Sequence, residues 1–84
     1  MNAQEMFEKL GFEKVEDTLI KNVLNWNIVY ETNRKTGRFV QVVFFSDGSL
    51  FVNLHSEGNV ICGGRIDIKL HQAITQQMKV LGWL

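Results

Sequence analysis

Apolar residues recur along this chain with two different periods. Near the start, Ala3, Met6, Phe7 and Leu10 fall at i, i+3, i+4 and i+7, one stripe on a helix. Asn2, with Glu5 three residues on, is a capping-box-like start. Gly11 can take the left-handed conformation that closes a helix, and Phe12 then sits where that closure wants an apolar residue, close to Phe7. The pattern returns at the far end. Leu70, Ala73, Ile74, Met78 and Leu81 form a stripe, and Lys69, Gln72, Gln76 and Lys79 form the wet face opposite it. Asp67 can cap this helix, Gly82 stops it, and Trp83 can fold back on Met78. Both helices end on Leu-Gly-aromatic. The spacing predicts helices over residues 3–10 and 67–81.

Between the helices the period is two. Phe12 to Asp17 reads as a short, charged edge strand. In residues 18–24, Leu19, Ile20, Val23 and Leu24 have helical spacing, while Asn22 and its β-type neighbours allow an extended reading, and both stand open. From Trp26 to Thr32 apolar and polar residues alternate, and residues 33–37 form a turn. Phe39 to Phe45 and Leu50 to His55 are further strands joined at Asp47-Gly48, a two-residue hairpin signal suited to a type I′ turn. Gly58-Asn59 turns the chain again, and Val60 to Cys62 can add a short strand. The expected fold is one α+β domain over residues 1–84. An antiparallel sheet of three to five strands is packed on one face by the N- and C-terminal helices.

A two-residue turn at Asp47-Gly48 sets Ser46 opposite Ser49 and so divides the sheet into faces. One face carries Phe45 with Leu50, Val43 with Val52 and Gln41 with Leu54, joined by Phe39, Tyr30 and Trp26; the helices are expected here. The other carries Val40, Val42, Phe44 and Phe51. A solvated sheet face should be mostly polar, so this second patch predicts a cover, either residues 12–24 of the same chain or a second molecule.

Charge narrows the choice of partner little. The chain of 84 residues has a formal net charge of zero. Residues 1–17 carry about −3 and the remainder about +3, too little to draw nucleic acid or anionic lipid to the whole chain. A lone cysteine, Cys62, excludes an intrachain disulfide and fits a reducing, intracellular setting. Residues 2–10 read as an amphipathic helix rather than a leader, and no apolar run approaches the ~20 residues that span a bilayer. A cytoplasmic protein is expected.

Candidate chemistry is sparse. His55, Cys62 and His71 match no zinc spacing, and the expected reading is a structural cysteine with two surface histidines. Gly63-Gly64-Arg65 before a helix resembles a phosphate-cradling loop but lacks Walker or Rossmann spacing, and Asp67 would set a carboxylate where the anion belongs. Glu13, Glu16 and Asp17 suit a solvated edge that discourages strand addition. Arg34, Lys35 and Arg38, beside aromatics on a sheet, are the candidate contacts for single-stranded nucleic acid. No catalytic residue, metal or cofactor is expected.

The two ends of the chain carry a resemblance. Residues 1–12, Met-Asn-Ala-Gln-Glu-Met-Phe-Glu-Lys-Leu-Gly-Phe, are similar to the opening Thr-Ala-x-Glu-Met-Phe-Glu-x-Leu-Gly-Tyr of small uncharacterised proteins encoded by phages and prophages of Gram-positive bacteria. Ile66-Asp67, Ala73-Ile74, Gln77 and Leu81-Gly82-Trp83 resemble the end of those proteins. The likeness covers about thirty residues and departs at Asn2 and Asp67, where the capping residue is often threonine. It implies a mobile-element accessory protein and assigns no catalytic or ligand residue. The expectation is a non-enzymatic protein that acts by protein–protein contact, as a homodimer or on an unidentified protein, with Val40, Val42, Phe44 and Phe51 at the interface. The alternative is a single-stranded nucleic-acid-binding module on the same sheet face, through Arg34, Lys35 and Arg38.

Overall fold

The computed structural model describes residues 1–15 and 26–84. Helix α1 (Ala3–Lys9) leads into β1 (Glu13–Val15), and β2 (Trp26–Glu31), β3 (Arg38–Phe45), β4 (Leu50–Ser56) and β5 (Asn59–Cys62) precede helix α2 (Ile68–Val80). The described strands form one antiparallel sheet in sequence order, with α1 and α2 on one side. Residues 18–24, and with them Glu16, Asp17 and the part of any cover built from residues 16–24, fall outside the described residues.

Both helix ends are built as the spacing predicts. Asn2 Oδ1 accepts from the Glu5 amide at 2.8 Å, and Asp67 Oδ1 from the Leu70 amide at 2.8 Å. At the close of α1, the Phe12 amide donates to the Phe7 carbonyl and the Gly11 amide to the Glu8 carbonyl. At the close of α2, Trp83 donates to Met78 and Gly82 to Lys79. These are two Schellman closures, with Gly11 and Gly82 at φ +89° and +80°.

The core lies between α1, α2 and the sheet. The Phe7 ring stacks on Tyr30 at 3.9 Å and meets Phe12 and Phe44 edge-on. Leu70, Ala73 and Ile74 of α2 close over Val42, Phe44 and Val52. The Tyr30 hydroxyl donates to Gln77 Oε1 at 2.7 Å, which pairs two buried polar atoms and ties α2 to β2.

The register differs from the expected one at one turn, and the difference inverts a strand. Phe44 pairs with Leu50, Val43 with Phe51 and Val42 with Val52. The loop is therefore Ser46-Asp47-Gly48, three residues rather than two. The Gly48 amide returns to the Phe45 carbonyl, Gly48 is left-handed at φ +92°, and Asp47 is not. This is a type I turn closed by a glycine bulge. Asp47 Oδ1 accepts from the Ser49 amide and hydroxyl, which holds the wider loop. The following turn, Glu57-Gly58, is the two-residue one, with φ of +49° and +85°.

On the β2 side Val29 pairs with Val43 and Tyr30 with Val42. Tyr30 and Val52 lie beneath the helices as expected; β3 is turned over, and a register shift between Trp26 and Ile28 pairs Trp26 with Phe45. Val40, Val42 and Phe44 do not share a face with Phe51. Val42 and Phe44 are 0 % exposed in the helix-covered core, while Phe51 lies on the opposite face with Val43, 56 % exposed. The physical reason is Gln41. The two-residue register would put its amide under the helices, where a polar group without partners costs several kcal/mol at most and about 1–3 kcal/mol in proteins. The three-residue register delivers it to Glu31 and His55 on the other side.

Candidate functional site

The face away from the helices divides into a polar end and an apolar end. The polar end is a closed ring of contacts. Arg34 donates to Glu31 in a bidentate pair along one edge of its guanidinium, Nη2 at 2.6 Å from Oε2 and Nε at 3.2 Å from Oε1. Gln41 Nε2 donates to Glu31 Oε2 at 2.7 Å, and Gln41 Oε1 lies 3.3 Å from His55 Nε2. The His55 ring stacks on Phe39 at 4.4 Å, and the Arg34 guanidinium carbon stands 5.1 Å from the Phe39 centroid, which returns the circuit to its start.

Sequence and topology explain the ring. Residues 39, 41 and 55 share a face because Phe39 pairs with His55 and Gln41 with Asn53. Glu31 pairs with Gln41 at the end of β2. A single 3₁₀ turn, Arg34–Thr36, capped by Asn33 through the Lys35 amide, swings Arg34 back over them. Glu31 is buried, and its carboxylate oxygens accept from Arg34 and Gln41. A depression of about 550 Å³ beside it is walled by Glu13, Val15, Glu31, Arg34 and Lys35, of which Glu31 and Arg34 are paired with each other.

The apolar end holds Val29 and Val43, both buried, with Val15 and Phe45 packed on them. Phe51 meets Phe45 edge-on at 5.3 Å and keeps more than half its surface exposed. No described helix covers this end.

The other expected site residues separate. Arg34 lies over the Phe39 ring, but alternation along β3 gives Arg38 the parity of Val40 and Val42, the helix side. Lys35 is exposed on the 3₁₀ turn. The three cations do not line one groove. The Gly63 and Gly64 amides both donate to the Val52 carbonyl, so they are not free to cradle an anion, and Asp67 caps α2. Cys62 pairs in backbone register with Asn53, and His71 is an exposed residue of α2. Among the described residues, no three His, Cys, Asp or Glu side chains gather as a metal site. None of the described helices is long and apolar enough to cross a membrane.

One titrating group on the helix side is displaced. Burial, and then the charge of Glu8, push the Tyr30 hydroxyl above its ordinary 10.0, so it stays the donor to Gln77 well into the alkaline range. Sequence reasoning missed the ring of Arg34, Glu31, Gln41, His55 and Phe39. Its signal was polar Gln41 and His55 within apolar strands, legible once β3 has the right face.

No family model, curated protein or solved structure matches the chain.

Proposed function

We propose that this is a non-enzymatic interaction protein, an accessory of the phage or prophage kind that its two ends resemble. It acts in the cytoplasm by contact with another protein, in the first place a second copy of itself. The observation that carries the reading is Phe51, 56 % exposed and set edge-on to Phe45 over the buried pair Val29 and Val43. A large exposed aromatic ring beside a buried apolar base is what an interface anchor offers. The proposal gives no residue a catalytic role and calls for no cofactor.

Single-stranded nucleic acid is the second reading, favoured by the Arg34, Phe39 and His55 stack. It is second because the Arg34 charge is met by Glu31 and because Arg38 has the opposite parity.

Affinity capture from the native host, with wild type and Phe51→Glu as baits and both protein and nucleic acid identified, tests the reading. A protein recovered by wild type and lost with Phe51→Glu supports it. Recovery of nucleic acid that Arg34→Glu abolishes and Phe51→Glu spares would replace it with the second reading.

A further inference from the structure

The two edges of the sheet are unlike. The β1 edge is Glu13-Lys14-Val15, short and charged, the usual protection against strand addition. The β5 edge is Asn59-Val60-Ile61-Cys62, with no charge and no proline. Val60 and Ile61 are 57 % and 52 % exposed.

The register says which backbone groups β5 leaves open. Ser56 and Asn59 flank a two-residue turn and exchange hydrogen bonds, as do Leu54 and Ile61 two positions further on. Val60 and Cys62, between and beyond them, therefore point their amides and carbonyls away from β4. Among the described residues, no strand lies on that side. Past Cys62 the edge closes, because Gly63, left-handed at φ +89°, and Gly64 bulge inward onto the Val52 carbonyl.

We propose that β5 is the self-association edge: two copies pair their β5 strands antiparallel about a two-fold axis at Ile61. The inference rests on the homodimer part of the proposed function, but sets the contact between copies at the β5 edge and leaves the Phe51 face to a different protein partner. Only this register lets both open residues work, Val60 against Cys62 of the partner subunit and the reverse, giving four backbone hydrogen bonds. Val60 against a second Val60, or Cys62 against a second Cys62, would use half of them. Charge selects the same register. Residues 58–64 carry no charge, with Glu57 four residues before Ile61 and Arg65 four after it. A two-fold axis at Ile61 brings each Glu57 to the end of the strand where the partner's Arg65 lies. Both residues are exposed in the single chain. A self-complementary patch of this kind is what a two-fold dimer requires.

The contact is small, that of a transient dimer, so the test is sedimentation velocity of the full chain from about 10 μM to about 1 mM. Wild type is expected to shift from monomer to dimer over the series. Val60→Pro removes an outward amide and no bond to β4, so it should stay monomeric with its thermal melt retained. Glu57→Lys and Arg65→Glu should each weaken dimerisation about tenfold. The double variant Glu57→Lys with Arg65→Glu, which reverses both charges, should restore it; that rescue does not depend on how well Val60→Pro folds. If wild type dimerises, these variants leave the dimer unchanged and Phe51→Glu abolishes it, then the β5 edge is wrong and the sheet-face reading stands. If wild type stays monomeric throughout, edge pairing and homodimer both fall, and capture of a partner protein alone decides the interaction reading.

Discussion

The two faces of the sheet draw on the same strand and use it differently. Residues 39–45 of β3 read Phe-Val-Gln-Val-Val-Phe-Phe, apolar on both sides save for Gln41. On the helix side, Val42 and Phe44 are sealed under Phe7, Leu70 and Ile74. On the far side, Phe39 joins a polar ring and Phe45 supports a half-exposed Phe51. When both sides of a strand are apolar, alternation cannot choose which one is buried. The choice falls to the turn and to the one side chain that needs partners.

The contrast is broken most forcefully by truncation. Phe44→Ala should cost about 3–5 kcal/mol, because it leaves a cavity among Phe7, Tyr30 and Trp83. Phe51→Ala, the same change on the other face, should stay within about 1 kcal/mol, since the ring is mostly in solvent already. Denaturant melts of the two variants decide it, and equal losses would mean that the far face is as much a core as the near one.

Tyr30→Phe sharpens the comparison on the helix side. It strands the buried Gln77 amide and should cost about 1–3 kcal/mol. It should also change the pH profile. Because burial, then Glu8, raise the folded-state ionisation of Tyr30 above 10.0, the unfolded chain loses that proton first. The associated stability is whole below pH 10 and is lost as pH climbs through the folded value. Melts from pH 8 upward should show this alkaline loss in wild type, and less of it in Tyr30→Phe.

The smallest effect belongs to the turns. Glu57 is the one described residue other than glycine with positive φ, at +49°. Glu57→Asn, a residue suited to the first position of a type I′ turn, should raise stability by about 0.5–1 kcal/mol in a thermal melt.

Much of the fold was legible in the residues themselves. Asn2, Asp67 and the two Leu-Gly-aromatic endings placed both helices, because caps and closures are local chemistry. The strands followed from alternation. The facing of β3 did not, because Asp47-Gly48 serves a two-residue turn and a three-residue bulged one equally well, and Asp47 tips the balance only through its bonds to Ser49. The polar ring was hidden for the same reason. Arg34, Glu31, Gln41, His55 and Phe39 are scattered over twenty-five residues, and only the corrected register brings them together.

The contact between α1 and α2 also sets an order of events during synthesis. Phe7 leaves the ribosome before any described strand exists, yet Ala73 and Ile74, which share its core cluster, are made after the five described strands. A helix of seven residues does not hold by itself in water. The first helix to be written is therefore among the last to settle, and a nascent chain stalled before α2 would display Phe7 and Phe44 to whatever binds unfinished proteins.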